Sequence, residues 1–201
     1  MVANQRNAPK PPKQLDVELL ALDLNACSRC AGTAANVRAV LTLARDLFRE
    51  VGTEVVYRET VVGSADQAER LRFASSPTVR INGRDVTAES RESLCADCGG
   101  LCGCGDGVNC RVWTWDETEH LEAPRALLLD ALLNAYAESG PRAEAEYVPF
   151  RLPENLRAFF VARDHAAAHD AKCCDEQACC DPADKSECCG EGDESPTCGC
   201  Q

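Results

Sequence analysis

The chain has 201 residues, a formal charge of −12 and fifteen cysteines. That length suits about one domain with appendages, and an acidic chain without a basic stripe excludes an ordinary nucleic-acid or anionic-membrane binder. No run of eighteen apolar residues occurs, so no spanning helix is expected, and the odd cysteine count argues against a fully paired secreted framework. A cytoplasmic location is expected, where thiols stay reduced unless they are catalytic or metal-bound.

Residues 1–14, MVANQRNAPKPPKQ, are polar and proline-rich without an apolar h-region. They predict a disordered arm and not a secretory signal. LDVELLALDL (Leu15–Leu24) is a near-continuous apolar run of strand length, as in a buried strand. After NACSRCAG, the residues Val37, Val40, Leu41, Ala44, Leu47, Phe48 and Val51 recur at helical steps, and Gly52 stops the helix. Glu54–Val62 is a second β-branched strand, and Ser64 with Gln67 forms a capping box for a short helix ending near Phe73. SSPTVRINGRDVTA predicts a strand, an Asn82-Gly83 hairpin turn and a returning strand. A Cys/Gly-rich loop, CADCGGLCGCGDGVNC (Cys95–Cys110), precedes a last short strand in RVWTWDE, where Trp113 and Trp115 read as strand packing. Pro124 opens a helix carrying Leu127, Leu128, Leu132 and Tyr136, closed by Gly140-Pro141. Phe150–Asp170 holds a further helix with Leu156, Phe159 and Phe160 on one side.

The order β–CxxC–α–β–α–(Ser-Pro)–β–β–loop–α resembles the thioredoxin-like superfamily over roughly Leu15 to Gly140. Within it, CSRC…SSPTVRING…CADCGGLCG…NCRVW is similar to an uncharacterised CxxC-containing family, a domain of unknown function. The resemblance implies an α/β fold with a central mixed sheet flanked by helices, occupying 15–140 with the 95–110 loop inside it. A linker and C-terminal helix (141–170) and an acidic cysteine-rich disordered tail (171–201) would follow. It also implies that Cys27 is an exposed attacking thiol and Cys30 the resolving one. Pro77 would be cis, with Ser76 and Thr78 facing the disulfide.

Read as residues, Cys27-Ser28-Arg29-Cys30 sits where a helix begins, and the macrodipole and Arg29 favour a thiolate there. The bland alternative is that these two cysteines are half of a structural zinc site. Cys95, Cys98, Cys102, Cys104 and Cys110 offer five thiols to a metal, one more than a closed zinc site needs. An iron–sulfur cluster is less favoured, since the spacing matches neither common ferredoxin pattern. His165 and His169, four apart, read as a solvated helix end rather than a metal pair.

The tail carries Cys173, Cys174, Cys179, Cys180, Cys188, Cys189, Cys198 and Cys200 among carboxylates that give residues 171–201 a net charge of −6. Adjacent cysteines have Cα atoms ~3.8 Å apart, below the ~4.4–6.8 Å of a relaxed disulfide, but two neighbouring sulfurs can share one ion. Acidic neighbours raise thiol pKa values, so these sulfurs suit ligation better than thiol–disulfide catalysis.

The expected function is therefore thiol-based binding, sequestration or transfer of a soft metal or metalloid ion: Zn, Cu(I), Hg(II) or arsenite. This is metallochaperone or heavy-metal-resistance chemistry with no organic cofactor. Partners would be such ions, a thiol reductant or a metal-accepting protein, with neither nucleic acid nor membrane. The alternatives are a thiol–disulfide oxidoreductase turning over a redox-active disulfide at Cys27 and Cys30, the form an enzyme would take, and an adaptor with structural zinc.

Overall fold

A computed structural model of the protein describes residues 13–88, 91–103, 108–138 and 149–173, with side chains through residue 168. The elements are β1 (Lys13–Ala21), α1 (Ser28–Glu50), β2 (Thr53–Val61), α2 (Ala65–Arg70), β3 (Thr78–Ile81) and β4 (Arg84–Asp85). There follow β5 (Arg91–Cys95), α3 (Ala96–Cys102), β6 (Val108–Trp115), β7 (Thr118–His120), α4 (Arg125–Ala137) and α5 (Glu154–Cys173).

The fold is α/β with a mixed four-stranded sheet of order β2-β1-β3-β4. β1 runs parallel to β2 and antiparallel to β3. β1 begins two residues earlier than the apolar run predicts, because Lys13 and Gln14 pair with Thr53 and Glu54. Asn82 and Gly83 both take positive φ, 52° and 77°, which is the conformation a tight two-residue hairpin requires. Ser64 caps α2 by accepting from the Gln67 amide at 3.2 Å, and Gln67 reaches back to the Gly63 amide at 2.8 Å.

β1 and the residue after it feed two cores. Leu15, Val17 and Leu19 pack with Val37, Val40, Leu41, Ala44 and Phe48 of α1 and with Leu127, Leu128 and Leu132 of α4. Leu20 and Leu22 enter a second core with Val62, Phe73, the buried cysteines, and Leu156, Phe159 and Phe160 of α5. The apolar stripe of α1 is narrower than its sequence suggests. Leu47 and Val51 stay exposed beside Leu43, because the turn that points Phe48 inward carries position 47 outward.

The segment between Cys95 and Cys110 is not the loop expected from its glycines. A second sheet, β5-β6-β7, carries it, and the seven-residue helix α3 follows β5 directly. Gly103 closes α3 in the left-handed conformation, φ 62°. The two sheets meet where the Arg111 amide donates to the Ser76 carbonyl at 2.6 Å. Arg111 itself is buried, paired through both terminal nitrogens with Asp85 at 2.7 Å and placed over the Trp113 ring.

Arg38 of α1 forks onto Glu59 of β2 through two 2.6 Å bonds, and this holds the Glu59 carboxyl below its usual range. A carboxyl lowered in the folded state stabilises the fold above its unfolded pKa of ~4.3, and that contribution is lost as pH falls through the folded value. Glu59→Gln is therefore expected to lower the melting temperature at pH 7 by no more than a few degrees, the pair being partly solvated and worth up to ~1 kcal/mol. The gap to the parent should close below pH 3. A constant gap across a melting series from pH 7 to pH 3 contradicts the assignment.

Candidate metal centre

The first turn of α1 is built by carboxylates from outside it. Asp23 accepts from the amides of Asn25, Ala26 and Cys27, folding the end of β1 into a tight approach to the helix. Cys27 occupies the N-cap without a capping bond of its own. The cap comes instead from α3, where Asp97 accepts from the Ser28 amide at 2.8 Å and the Ser28 hydroxyl at 2.6 Å. Arg29 reaches across to β5 and donates to the Ser93 hydroxyl at 2.9 Å and the Leu94 carbonyl at 2.6 Å. These long-range contacts draw Cys27 onto the β5–α3 corner.

The consequence is a buried group of four thiols, Cys27, Cys95, Cys98 and Cys110, whose Sγ atoms all lie within 4.8 Å of one another. Cys27 and Cys95 are 3.9 Å apart, and Cys98 and Cys110 are 3.3 Å apart. Four thiolates around one zinc at ~2.3 Å have sulfurs roughly 3.8 Å apart, so small shifts of the group, widening the 3.3 Å pair and closing the longer ones, would complete a tetrahedral shell. The donors come from the N-cap of α1, the end of β5, α3 and β6, and each is 3 % exposed or less. The walls are apolar, supplied by Leu20, Val108, Leu156, Phe159 and Phe160 among others. Such a dry cluster of sulfur donors can hold a soft cation.

The charge distribution within the group is uneven. Thiol donors from Cys110, then Cys30 and Cys98, hold the Cys27 sulfur well below the usual thiol range. The same contacts push the others up: Cys30 by Cys27, Cys98 by Cys110, and Cys110 by Cys27. Opposite shifts among neighbouring thiols are what is expected when like charges cannot share a low-dielectric site. A bound cation removes that constraint by displacing protons itself.

Two sites that the sequence presents separately are therefore one. Cys27 leaves the CxxC pair to join Cys95, Cys98 and Cys110, while Cys102 is disulfide-bonded and Cys104 lies outside the described residues. Cys30 remains buried and free, with its Sγ 3.4 Å from the Ser76 hydroxyl. The Ser76–Pro77 peptide is cis, and Pro77 directly precedes β3. The Thr78 hydroxyl donates to the Ser75 carbonyl at 2.6 Å. Cys27, expected exposed, has no accessible surface. The reason is that β5 and α3 are drawn onto the helix terminus, and the cluster shares a core with Leu156, Phe159 and Phe160 of α5. Arg29 serves as a clamp on β5. His165 is exposed, whereas the side chains of His169 and Cys173 and all the residues from Cys174 to Cys200 lie outside the described part.

Sequence reasoning missed Asp97, Asp23 and Ser93 as positioning residues. Asp97 carried a local signal, an acidic residue between two cysteines, but nothing in the sequence pointed to Ser28 as its partner. No helix among the described residues is long and apolar enough to cross a membrane.

Fold and site together define an α/β protein with a mixed sheet, flanking helices and a buried cluster of four cysteines able to hold a metal ion. The chain belongs to the family described as Domain of unknown function (DUF2703), whose model matches residues 15–132. That match takes in all four cluster cysteines and leaves α5 and the tail outside it. No curated protein and no solved structure matches the chain.

Proposed function

We propose that this chain is a thioredoxin-like protein that binds one soft metal or metalloid ion through Cys27, Cys95, Cys98 and Cys110 and hands it to an accepting protein. The observation that carries the reading is the convergence of four buried sulfurs within 4.8 Å from four separate parts of the chain. Thiol–thiol hydrogen bonds are weak, whereas a soft ion satisfies all four sulfurs at once. The thioredoxin-like assignment is supported by the strand order β2-β1-β3-β4 and by a cis Pro77 beside Cys30. Against an adaptor with purely structural zinc stands Cys30, a fifth thiol free for ligand exchange beside a complete shell. The tail sulfurs would gather ions from solution, their effective concentration at the body reaching millimolar through the short tether.

The oxidoreductase reading is favoured by the Cys30–Ser76–Pro77 arrangement and opposed by the complete burial of Cys27, which a bulky disulfide substrate could not reach. If the chain turns over as an enzyme, this is the chemistry it would use.

Native mass spectrometry separates the readings. A full-length variant with the eight cysteines from Cys173 to Cys200 changed to serine, purified under argon, is expected to retain one ion. X-ray absorption should give four sulfur neighbours at ~2.3 Å for zinc. Affinity should fall steeply as pH drops, because protons compete for the same sulfurs. A fully reduced protein that takes up no zinc, copper(I) or arsenite overturns the ion-binding reading in favour of the oxidoreductase.

A further inference from the structure

Cys30 is the thiol that the four-sulfur site leaves over. It is fully buried, with its Sγ 3.4 Å from the Ser76 hydroxyl, and three residues beyond Cys27 at the start of α1. With ~1.5 Å of rise per residue on a ~2.3 Å radius, Cα atoms three apart in a helix are roughly 5 Å from each other. That lies inside the ~4.4–6.8 Å a disulfide spans. Cys27 therefore belongs to two mutually exclusive arrangements, one of the four ion ligands or one half of a disulfide.

We propose, on the basis of the ion-binding reading above, that oxidation of Cys27 and Cys30 by a hydroperoxide withdraws Cys27 from the centre and releases the ion. The Cys27 sulfur attacks the peroxide; a sulfur–oxygen bond forms, the oxygen–oxygen bond breaks, and the sulfur becomes a sulfenic acid. Cys30 then attacks that sulfur, the sulfur–sulfur bond forms and hydroxide leaves with the Cys30 proton as water. For hydrogen peroxide the sum is one thiolate, one thiol, one peroxide and one proton giving one disulfide and two waters. The two thiols lose two electrons and the peroxide gains them. Cys95, Cys98 and Cys110 remain with three sulfurs, an open shell that holds the ion less tightly.

Cys30 is the resolving thiol because of what the others are doing. Cys98 and Cys110 at 3.3 Å, and Cys27 and Cys95 at 3.9 Å, are also close, but with the ion bound both members of each pair are ligated. Cys102 is already disulfide-bonded. A hydroperoxide suits the site better than a disulfide oxidant, since no donor is more than 3 % exposed and only a small molecule reaches it through local opening.

The test uses the full-length chain with the eight tail cysteines changed to serine, loaded with zinc and treated with hydrogen peroxide. Freed zinc is read with a chromogenic chelator and disulfides are mapped by peptide mass spectrometry. About one zinc is expected per Cys27–Cys30 disulfide, and a dithiol reductant should restore uptake. Cys30→Ser and Cys30→Ala should take up zinc as the parent does but release it at least roughly ten-fold more slowly, having no resolving thiol. Release at the parent rate in both variants, or a disulfide joining Cys98 to Cys110 or Cys27 to Cys95, overturns the inference while leaving ion binding intact. A parent that takes up no zinc overturns the release step, and one that also takes up neither copper(I) nor arsenite overturns the ion-binding reading itself.

Discussion

Cys98→Ser or Cys110→Ser, in the full-length chain without tail thiols, is expected to abolish tight zinc binding. Either change removes one of four sulfurs and puts a hard, poorly ionised hydroxyl in a dry pocket. The loss should exceed the ~10–100-fold that removing an outer-shell partner costs. Thermal melting gives an independent readout, since a ligand that binds only the folded state at a thousand-fold excess over its dissociation constant adds ~4.1 kcal/mol. For a folded body of this size each kcal/mol is worth ~2–4 °C, so zinc should raise the parent midpoint by about 8–16 °C. The two serine variants should show less than half of that shift. Cys30→Ser should keep it, because Cys30 is outside the four-sulfur group. A Cys98→Ser protein with the full zinc-dependent shift would mean that the ion sits elsewhere.

How far the centre could be read from sequence depends on the range of the contacts that make it. β1 and the turn at Asn82-Gly83 are written in local patterns, an apolar run and a dipeptide of the required conformation. The capping box at Ser64 and Gln67 is as local. The union of Cys27 with Cys95 is not local, since 68 residues separate them and the joint is made by Ser28 with Asp97 and Arg29 with Ser93. A counting signal was present all the same. Five thiols in 95–110 are too many for one zinc, and only Cys95, Cys98 and Cys110 of them join the centre, with Cys27 as the fourth. α3 was hidden for a different reason. Gly99 and Gly100 are poor helix formers, and the turn forms because burial of Cys98, Gly99 and Cys102 outweighs the ~1 kcal/mol per residue that each glycine costs. Buried Arg111 had no local signal beside Trp113, and Asp85, its partner, is on a strand of two residues.

Phe159→Ala tests whether α5 is the cover of this centre or only a neighbour. Its ring is 1 % exposed, packs edge-on against Phe160 at 5.3 Å between centroids, and shares a core with the cluster cysteines. Removing it leaves a cavity, for which large-to-small changes of Phe cost ~3–5 kcal/mol. At ~2–4 °C per kcal/mol the metal-free midpoint should fall by about 6–20 °C. Val161→Ala, on the outward side of the same helix at 53 % exposure, should change stability by no more than ~0.5 kcal/mol. The discriminating measurement is made well below both midpoints, with zinc removed by a chelator. Site-resolved iodoacetamide labelling of Cys27 and Cys98 should be slow in the parent and in Val161→Ala, because both thiols are buried. It should be fast in Phe159→Ala, where the cavity admits water and reagent. Zinc added before the reagent should restore protection, since ligated sulfur alkylates poorly and the ion rebuilds the contacts around it. If Phe159→Ala melts early but its cysteines label no faster than those of the parent, α5 stabilises the fold without sealing the thiols. Burial of the site must then come from β5 and α3, whose hold on Cys27 runs through Arg29 and Asp97.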